Sequence, residues 1–136
     1  KETPKYLLNV QPGYVFNVDR FADSKRDIVI VTEGIFDAIL TDGVSVLGNS
    51  ITPEQAHLIE KLGKRVIVCP DRDKAGKQLI QQAVALDWEV SFPPWHTDCK
   101  DAADAVQRYG RLATVASIIA HATANKIKIE VRSKML

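Results

Sequence analysis

Residues 28–37, Ile-Val-Ile-Val-Thr-Glu-Gly-Ile-Phe-Asp, constrain what the rest of the chain can be. The β-branched run Ile28 to Val31 reads as a buried strand. Gly34 follows it and supplies a turn with no Cβ in the way. From Ile35 the pattern reads as a short helix. Glu33 then stands at the carboxyl end of a core strand, the place where open α/β sheets put their ligands. Asp37 comes one helical turn later, on the face turned toward Glu33. Two carboxylates in one crevice ask for a cation.

Strand and helix patterns alternate along the chain with short connections. Further strands are expected over 44–47, 65–69 and 89–92. A helix should begin at Thr52-Pro53-Glu54-Gln55, with Thr52 as N-cap, Pro53 at the first helical position and Gln55 closing a capping box. Its inward face is Ala56, Ile59 and Leu62 or Leu58, and Gly63 ends it. Residues 74–87 carry a broad apolar stripe from Ala75 to Leu86 and read as a second long helix. Helices are also expected over 101–109, stopped by Gly110, and over 113–124. Residues 126–131 alternate like an edge strand. Residues 1–27 read as an irregular lead-in with one edge strand over 14–18. The fold class that follows is α/β: a compact, Rossmann-like, mainly parallel sheet of about four strands, with helices on both faces.

A chain of 136 residues with 46% hydrophobic and 26% charged residues is sized for one globular domain with a sizeable core. Its net charge of +1 excludes a global basic field. Contact with a polyanion would need local charges and metal ions. No apolar run approaches the roughly 18 residues of a membrane span, and no signal peptide is evident, so no membrane partner and a cytoplasmic setting are expected. Cys69 and Cys99 have no metal-ligand spacing, either with each other or with His57, His96 and His121, so no zinc is expected. Cys69 lies in a strand pattern and reads as an inert core thiol. The chain opens on Lys1, as expected of a piece cut from a longer protein.

More acids arrive at the strand ends. The 65–69 strand runs into Asp71 and Asp73, and the loop after the 89–92 strand carries Asp98 and Asp101. In a parallel sheet all of these share an edge with Glu33 and Asp37. Carboxylates with nothing soft nearby suit Mg²⁺ or Mn²⁺, which prefer oxygen ligands. Such centres act on phosphates. Each acid also has a plainer reading. Asp73 and Asp101 precede helices and can be N-caps, worth roughly 1 kcal/mol. Asp37 can pair with a lysine.

Glu33-Gly34 with Asp37, and Asp71-Arg-Asp73-Lys-Ala-Gly76 after a second hydrophobic strand, resemble the signature of TOPRIM domains. Primases, type IA and II topoisomerases, some nucleases and recombination mediators share these domains. Lys77 after the glycine, Lys100-Asp101 after the fourth strand, and Tyr109-Gly110 closing the next helix resemble the bacterial and phage primase forms. So does Pro4-Lys5-Tyr6-Leu7. Many bacterial primases carry Asp-Pro-Asp at the fourth site. Here Asp101 is followed by Ala102-Ala103, closer to the Lys-Asp-Ala form of phage primase-helicases.

The resemblance implies a catalytic domain for Mg²⁺-dependent synthesis of RNA primers on single-stranded DNA. Glu33 would be a metal ligand or the base for the attacking 3′ hydroxyl. Asp71 and Asp73 would be the main Mg²⁺ ligands, with Mn²⁺ as a substitute, and Asp37 and Asp101 supporting acids. Lys5, Gly34, Lys77 and Lys100 would face nucleotide or nucleic acid. The implied partners are a single-stranded DNA template, ribonucleoside triphosphates and a replicative helicase in cis or trans. The implied organisation is a remnant of the primase N-terminal subdomain (1–27), a TOPRIM core (28–112), and a C-terminal helix and edge strand (113–136). A piece of this size alone would have little or no polymerase activity. The alternatives are a TOPRIM nuclease or topoisomerase-like strand cleavage, with Tyr6, Tyr14 and Tyr109 as tyrosines by type only, and a non-catalytic TOPRIM binding module.

Overall fold

A computed structural model describes residues 13–21 and 23–136. Lys5 and its neighbours lie outside the described residues. After a 3-10 turn at Val18–Phe21 the elements are β1 (Ile28–Thr32), α1 (Ile35–Thr41), β2 (Val44–Ser45), α2 (Pro53–Glu60), β3 (Arg65–Val68), α3 (Gly76–Ala85), β4 (Glu89–Ser91), α4 (Ala102–Tyr109), α5 (Arg111–Ala120), β5 (Ala122–Thr123) and α6 (Lys126–Ser133).

One sheet runs in the order β2-β1-β3-β4-β5. The first four strands are parallel, and β5 closes the edge antiparallel to β4. Strand side chains alternate faces, which divides the core in two. Val29, Val31, Val66, Val68 and Val90 face Ile59 of α2, Leu79 and Ile80 of α3, and Ile129 of α6. Ile30, Ile67 and Cys69 face Ala102 and Ala105 of α4 and Ile118 of α5. Helices therefore cover both faces, and the sequence pattern of near-continuous apolar strands has its cause.

Local chemistry sets the element ends. Thr52 accepts from the Gln55 amide at 3.1 Å, and the Gln55 side chain accepts from the Thr52 amide at 2.9 Å, which closes the expected capping box. The Gln55 amide group also donates to the carbonyls of Tyr14 and Val46, tying the lead-in to the sheet. Gly43 lets the connection into β2 pass close to β1: a Cβ there would lie 2.4 Å from the Ile30 carbonyl oxygen.

Three expectations are corrected. Residues 126–131 are helical, not an edge strand. Asn125 accepts from the Lys128 amide and caps α6, and only Ile129 of the alternating apolar set is buried, at 1% exposure, while Ile127 is 76% exposed. The edge strand is Ala122–Thr123, cut from the end of the helix expected to reach residue 124. The sheet thus has a fifth, antiparallel strand beyond the four expected to carry it. In the lead-in, the expected strand over 14–18 reduces to one antiparallel bridge between Phe16 and Ser45.

Candidate metal centre

The parallel register brings the carboxyl ends of β1 and β3 to one edge, since Val31 pairs with Val68. Glu33 leaves β1 there, two residues after Val31, and Asp71 leaves β3 three residues after Val68. α1 starts beyond Gly34 and presents Asp37 from its first turn. α4 starts at Asp101, whose carboxylate accepts from the Asp104 amide at 2.8 Å and caps the helix. One carboxylate oxygen each from Asp37, Asp71 and Asp101 lies within 4.8 Å of the others. Capping and clustering are thus compatible in Asp101.

Backbone amides hold the acids in place. Oε2 of Glu33 accepts from the Asp71 amide at 2.7 Å, so the β1 acid sets the position of the β3 loop. Oδ1 of Asp37 accepts from the Ala103 amide at 2.8 Å, which joins α1 to the first turn of α4. Gly76 opens α3 hard against this loop. A Cβ there would lie 2.5 Å from the Asp71 carbonyl oxygen and 3.4 Å from Oε2 of Glu33.

The acids carry shifted acidities. Burial is the largest cause at Asp71, whose pKa rises to about 7, and the charges of Glu33, Asp37 and Asp101 add to it. Burial also raises Glu33 and Asp37, against the lowering effect of the amides of Asp71 and Ala103 respectively. Carboxylates whose charged forms are disfavoured by burial and mutual repulsion suit a site completed by a cation.

The other expected residues fall differently. Asp73 is exposed and lies outside the group of three; one of its carboxylate oxygens accepts from the Gly76 amide at 3.2 Å, at the start of α3. Its charge still reaches Glu33 and Asp71. Asp98 points to solvent and pairs with His96 at 3.3 Å. Gly34 packs against Asp37, its missing Cβ leaving room 3.0 Å from Oδ2. Lys77 is half-buried and lines a cleft with Gln81, Lys126 and Lys134. Lys100 is exposed, and its amide donates to Asp104 at 3.0 Å. A cleft of about 250 Å³ opens beside Asp71, lined by Arg72, Phe92 and Arg132 among others. A larger apolar groove between β1 and α5 contains none of these acids, and its size does not make it the site.

Two contributors were missed by reading residue types. The Ala103 amide is invisible to a search for charged side chains. Arg72 sits between the two acids of the β3 loop, and its Nη1 donates to the carbonyls of Trp95, His96 and Cys99, each at 3.1 Å. A basic residue inside an Asp-x-Asp run was the available signal.

The donor set fits a hard divalent ion. It is all oxygen, comes from three elements, and includes no thiol or imidazole in the group of three.

Comparison with known proteins identifies the family. A family described as Toprim-like matches residues 30–106. The DNA primase of Halalkalibacterium halodurans is 34% identical over 130 residues, covering 80% of this chain and 21% of that protein. The DNA primase of Enterococcus faecalis is 34% identical over 104 residues, covering 66% of this chain and 17% of that protein. The chain thus spans about a fifth of the length of these relatives. Among solved structures, a DNA primase domain from Pseudomonas aeruginosa superposes with a TM-score of 0.67 at 22% identity, over 90% of this chain and 42% of that one. A DnaG primase catalytic domain bound to single-stranded DNA gives 0.66 at 21% identity, over 84% and 40%. These two likenesses show a shared fold. With the family match covering more than half of its length, the chain belongs to the Toprim-like family.

Proposed function

We propose that this chain is the metal-binding catalytic portion of a DNA primase, making RNA primers on single-stranded DNA by nucleotidyl transfer. The observation that carries the reading is the meeting of Asp37, Asp71 and Asp101 within 4.8 Å at the carboxyl edge of a parallel sheet. The primase relatives over 80% and 66% of the chain support the choice among TOPRIM activities. The proposed ligands are Asp37, Asp71 and Asp101, with Glu33 and Asp73 flanking them. Asp37, Asp71 and Asp101 would hold Mg²⁺ or Mn²⁺, which would supply positive charge to offset the negative charge that builds during phosphoryl transfer.

The chain's own residues do the rest. Glu33 holds the Asp71 backbone, and its raised pKa suits it to take a proton from an attacking 3′ hydroxyl. Gly34 keeps the approach to Asp37 open. Lys5, Lys77 and Lys100 are the proposed contacts for nucleotide or template phosphates. A primase domain in the comparison has single-stranded DNA bound, which supports the same class of template here. Ribonucleoside triphosphates and a replicative helicase are the remaining proposed partners. The proposed core is 28–112, flanked by a lead-in over 1–27 and a tail over 113–136. Among the described residues no helix is long and apolar enough to cross a membrane; a cytoplasmic setting is proposed.

The test is primer synthesis by the full-length protein on single-stranded DNA with Mg²⁺. Asp71→Asn should abolish the short RNA products while far-UV circular dichroism stays unchanged. Undiminished synthesis by the variant sinks the reading. Metal-dependent strand cleavage in place of RNA synthesis would move it to a TOPRIM nuclease. The 136-residue chain alone should bind Mn²⁺ and synthesise little or nothing.

A further inference from the structure

Asp101 reaches the centre from a different direction than the other acids. Asp37 and Asp71 follow their strands within a few residues, but Asp101 ends a connection without regular secondary structure that starts after Ser91. Nothing in strand pairing places the end of such a connection to within an ångström or two. Its first half is anchored on α4 and α5: the Trp95 indole donates to Ser117 Oγ at 2.8 Å, and the His96 amide donates to the Tyr109 hydroxyl at 2.9 Å. Its second half, next to Asp101, is held by the Lys100 amide, which donates to Asp104 of α4 at 3.0 Å, and from the end of β3.

The hold from β3 is Arg72. Its guanidinium Nη1 donates to the carbonyls of Trp95, His96 and Cys99 at 3.1 Å each. Its backbone amide donates to the Lys100 carbonyl at 2.7 Å. One residue thus engages four carbonyls of the connection, the last of them adjacent to Asp101. Guanidinium is suited to this, because it stays charged and presents several donors from a rigid plane. Arg72 also adjoins Asp71, so the same residue fixes the distance between two of the three acids.

We infer that Arg72 is a positioning residue of the metal centre: it binds the 95–100 loop to the end of β3 and so delivers Asp101 to Asp37 and Asp71. The inference rests on the metal-site reading above and adds a residue that itself touches no ion. Groups that orient ligands without touching the metal typically change affinity about 10-fold or more when removed.

Mn²⁺ titration of the 136-residue chain, followed by electron paramagnetic resonance of the free ion, provides the first readout. Arg72→Met should weaken Mn²⁺ binding about 10-fold or more. In an Asp101→Asn background the same change should weaken it less than about 2-fold, because Arg72 acts through Asp101. An unchanged affinity, or an equal loss in both backgrounds, overturns the inference. The second readout needs no metal. Cys99 is 2% exposed in the tethered loop and Cys69 is 3% exposed in the sheet. Arg72→Met should speed iodoacetamide labelling of Cys99, mapped by mass spectrometry, and leave Cys69 protected. Unchanged labelling of Cys99 overturns the tether. If the unaltered chain binds no Mn²⁺, the metal-site reading fails, and faster Cys99 labelling then leaves a loop clamp with no role at a metal. Arg72→Lys, which keeps the cation, is read in the same way should Arg72→Met not fold.

Discussion

Asp71 concentrates the electrostatic problem of this fold. Its pKa is raised from 3.8 to about 7, first by burial and then by Glu33, Asp37 and Asp101. The folded chain therefore keeps a proton that the unfolded chain releases, over the range from about pH 4 to about pH 7. More protons bound in the folded state means that stability falls as pH rises through this range and levels off above it. Asp71→Asn removes the group that loses its proton. Without metal the variant should melt higher than the unaltered chain at pH 8, with a smaller difference at pH 4, and it should no longer bind Mn²⁺. Thermal melts at the two pH values check the sign. A variant that melts lower at pH 8 would show that the Asp71 carboxylate is paid for by some favourable contact of its charged form.

At the scale of the elements, α6 is the instructive case. As a strand, Ile127, Ile129 and Val131 would share one face and be buried or exposed together. As a helix they diverge: Ile129 enters the core with Leu79 and Ile80 of α3, while Ile127 and Val131 face solvent. Ile129→Ala should cost about 2–5 kcal/mol, the usual range for emptying a packed core position. Ile127→Lys should stay within about 0.5 kcal/mol, as surface changes do. Urea unfolding monitored by Trp88 and Trp95 fluorescence measures both, and equal costs would favour the strand.

For the whole molecule, the sheet is a device for bringing separate parts of the sequence to one edge. Asp37 and Ala103 are far apart in the chain and 2.8 Å apart in the fold, and Glu33 and Asp71 are likewise joined at 2.7 Å. One joint ties the start of α1 to the start of α4 and the other ties the end of β1 to the loop after β3, so assembling the centre and closing the domain are coupled. A divalent ion that binds only the closed form should stabilise it by about 2.7 kcal/mol at 100 times its dissociation constant. Protons compete for the same carboxylates, so the rise in melting temperature with Mg²⁺ should be larger at pH 8 than at pH 5.5. Differential scanning calorimetry at both pH values, with and without Mg²⁺, checks this. An equal shift at both would mean that the raised carboxylates are not where the ion binds.

Much of this was legible in the chain itself. The β-branched runs into Glu33 and into Asp71 determined two buried strands, because such runs are satisfied only inside a sheet covered on both faces, and the fold made them neighbours. The Thr52-Pro53-Gln55 cap determined a helix start, because its hydrogen bonds are local. The family signature placed the acids on strand and helix ends. Tertiary structure decided the rest. Asp101 rather than Asp73 joins Asp37 and Asp71, because loop path depends on which carbonyls Arg72 holds and which amide Asp37 reaches. Residues 126–131 became a helix, because a pattern of alternating apolar residues leaves open which of them a neighbouring helix will bury. Local hydrogen bonding and side-chain alternation act over a few residues and can be read in order. The meeting of distant carboxylates depends on the packed sheet, and only the fold states it.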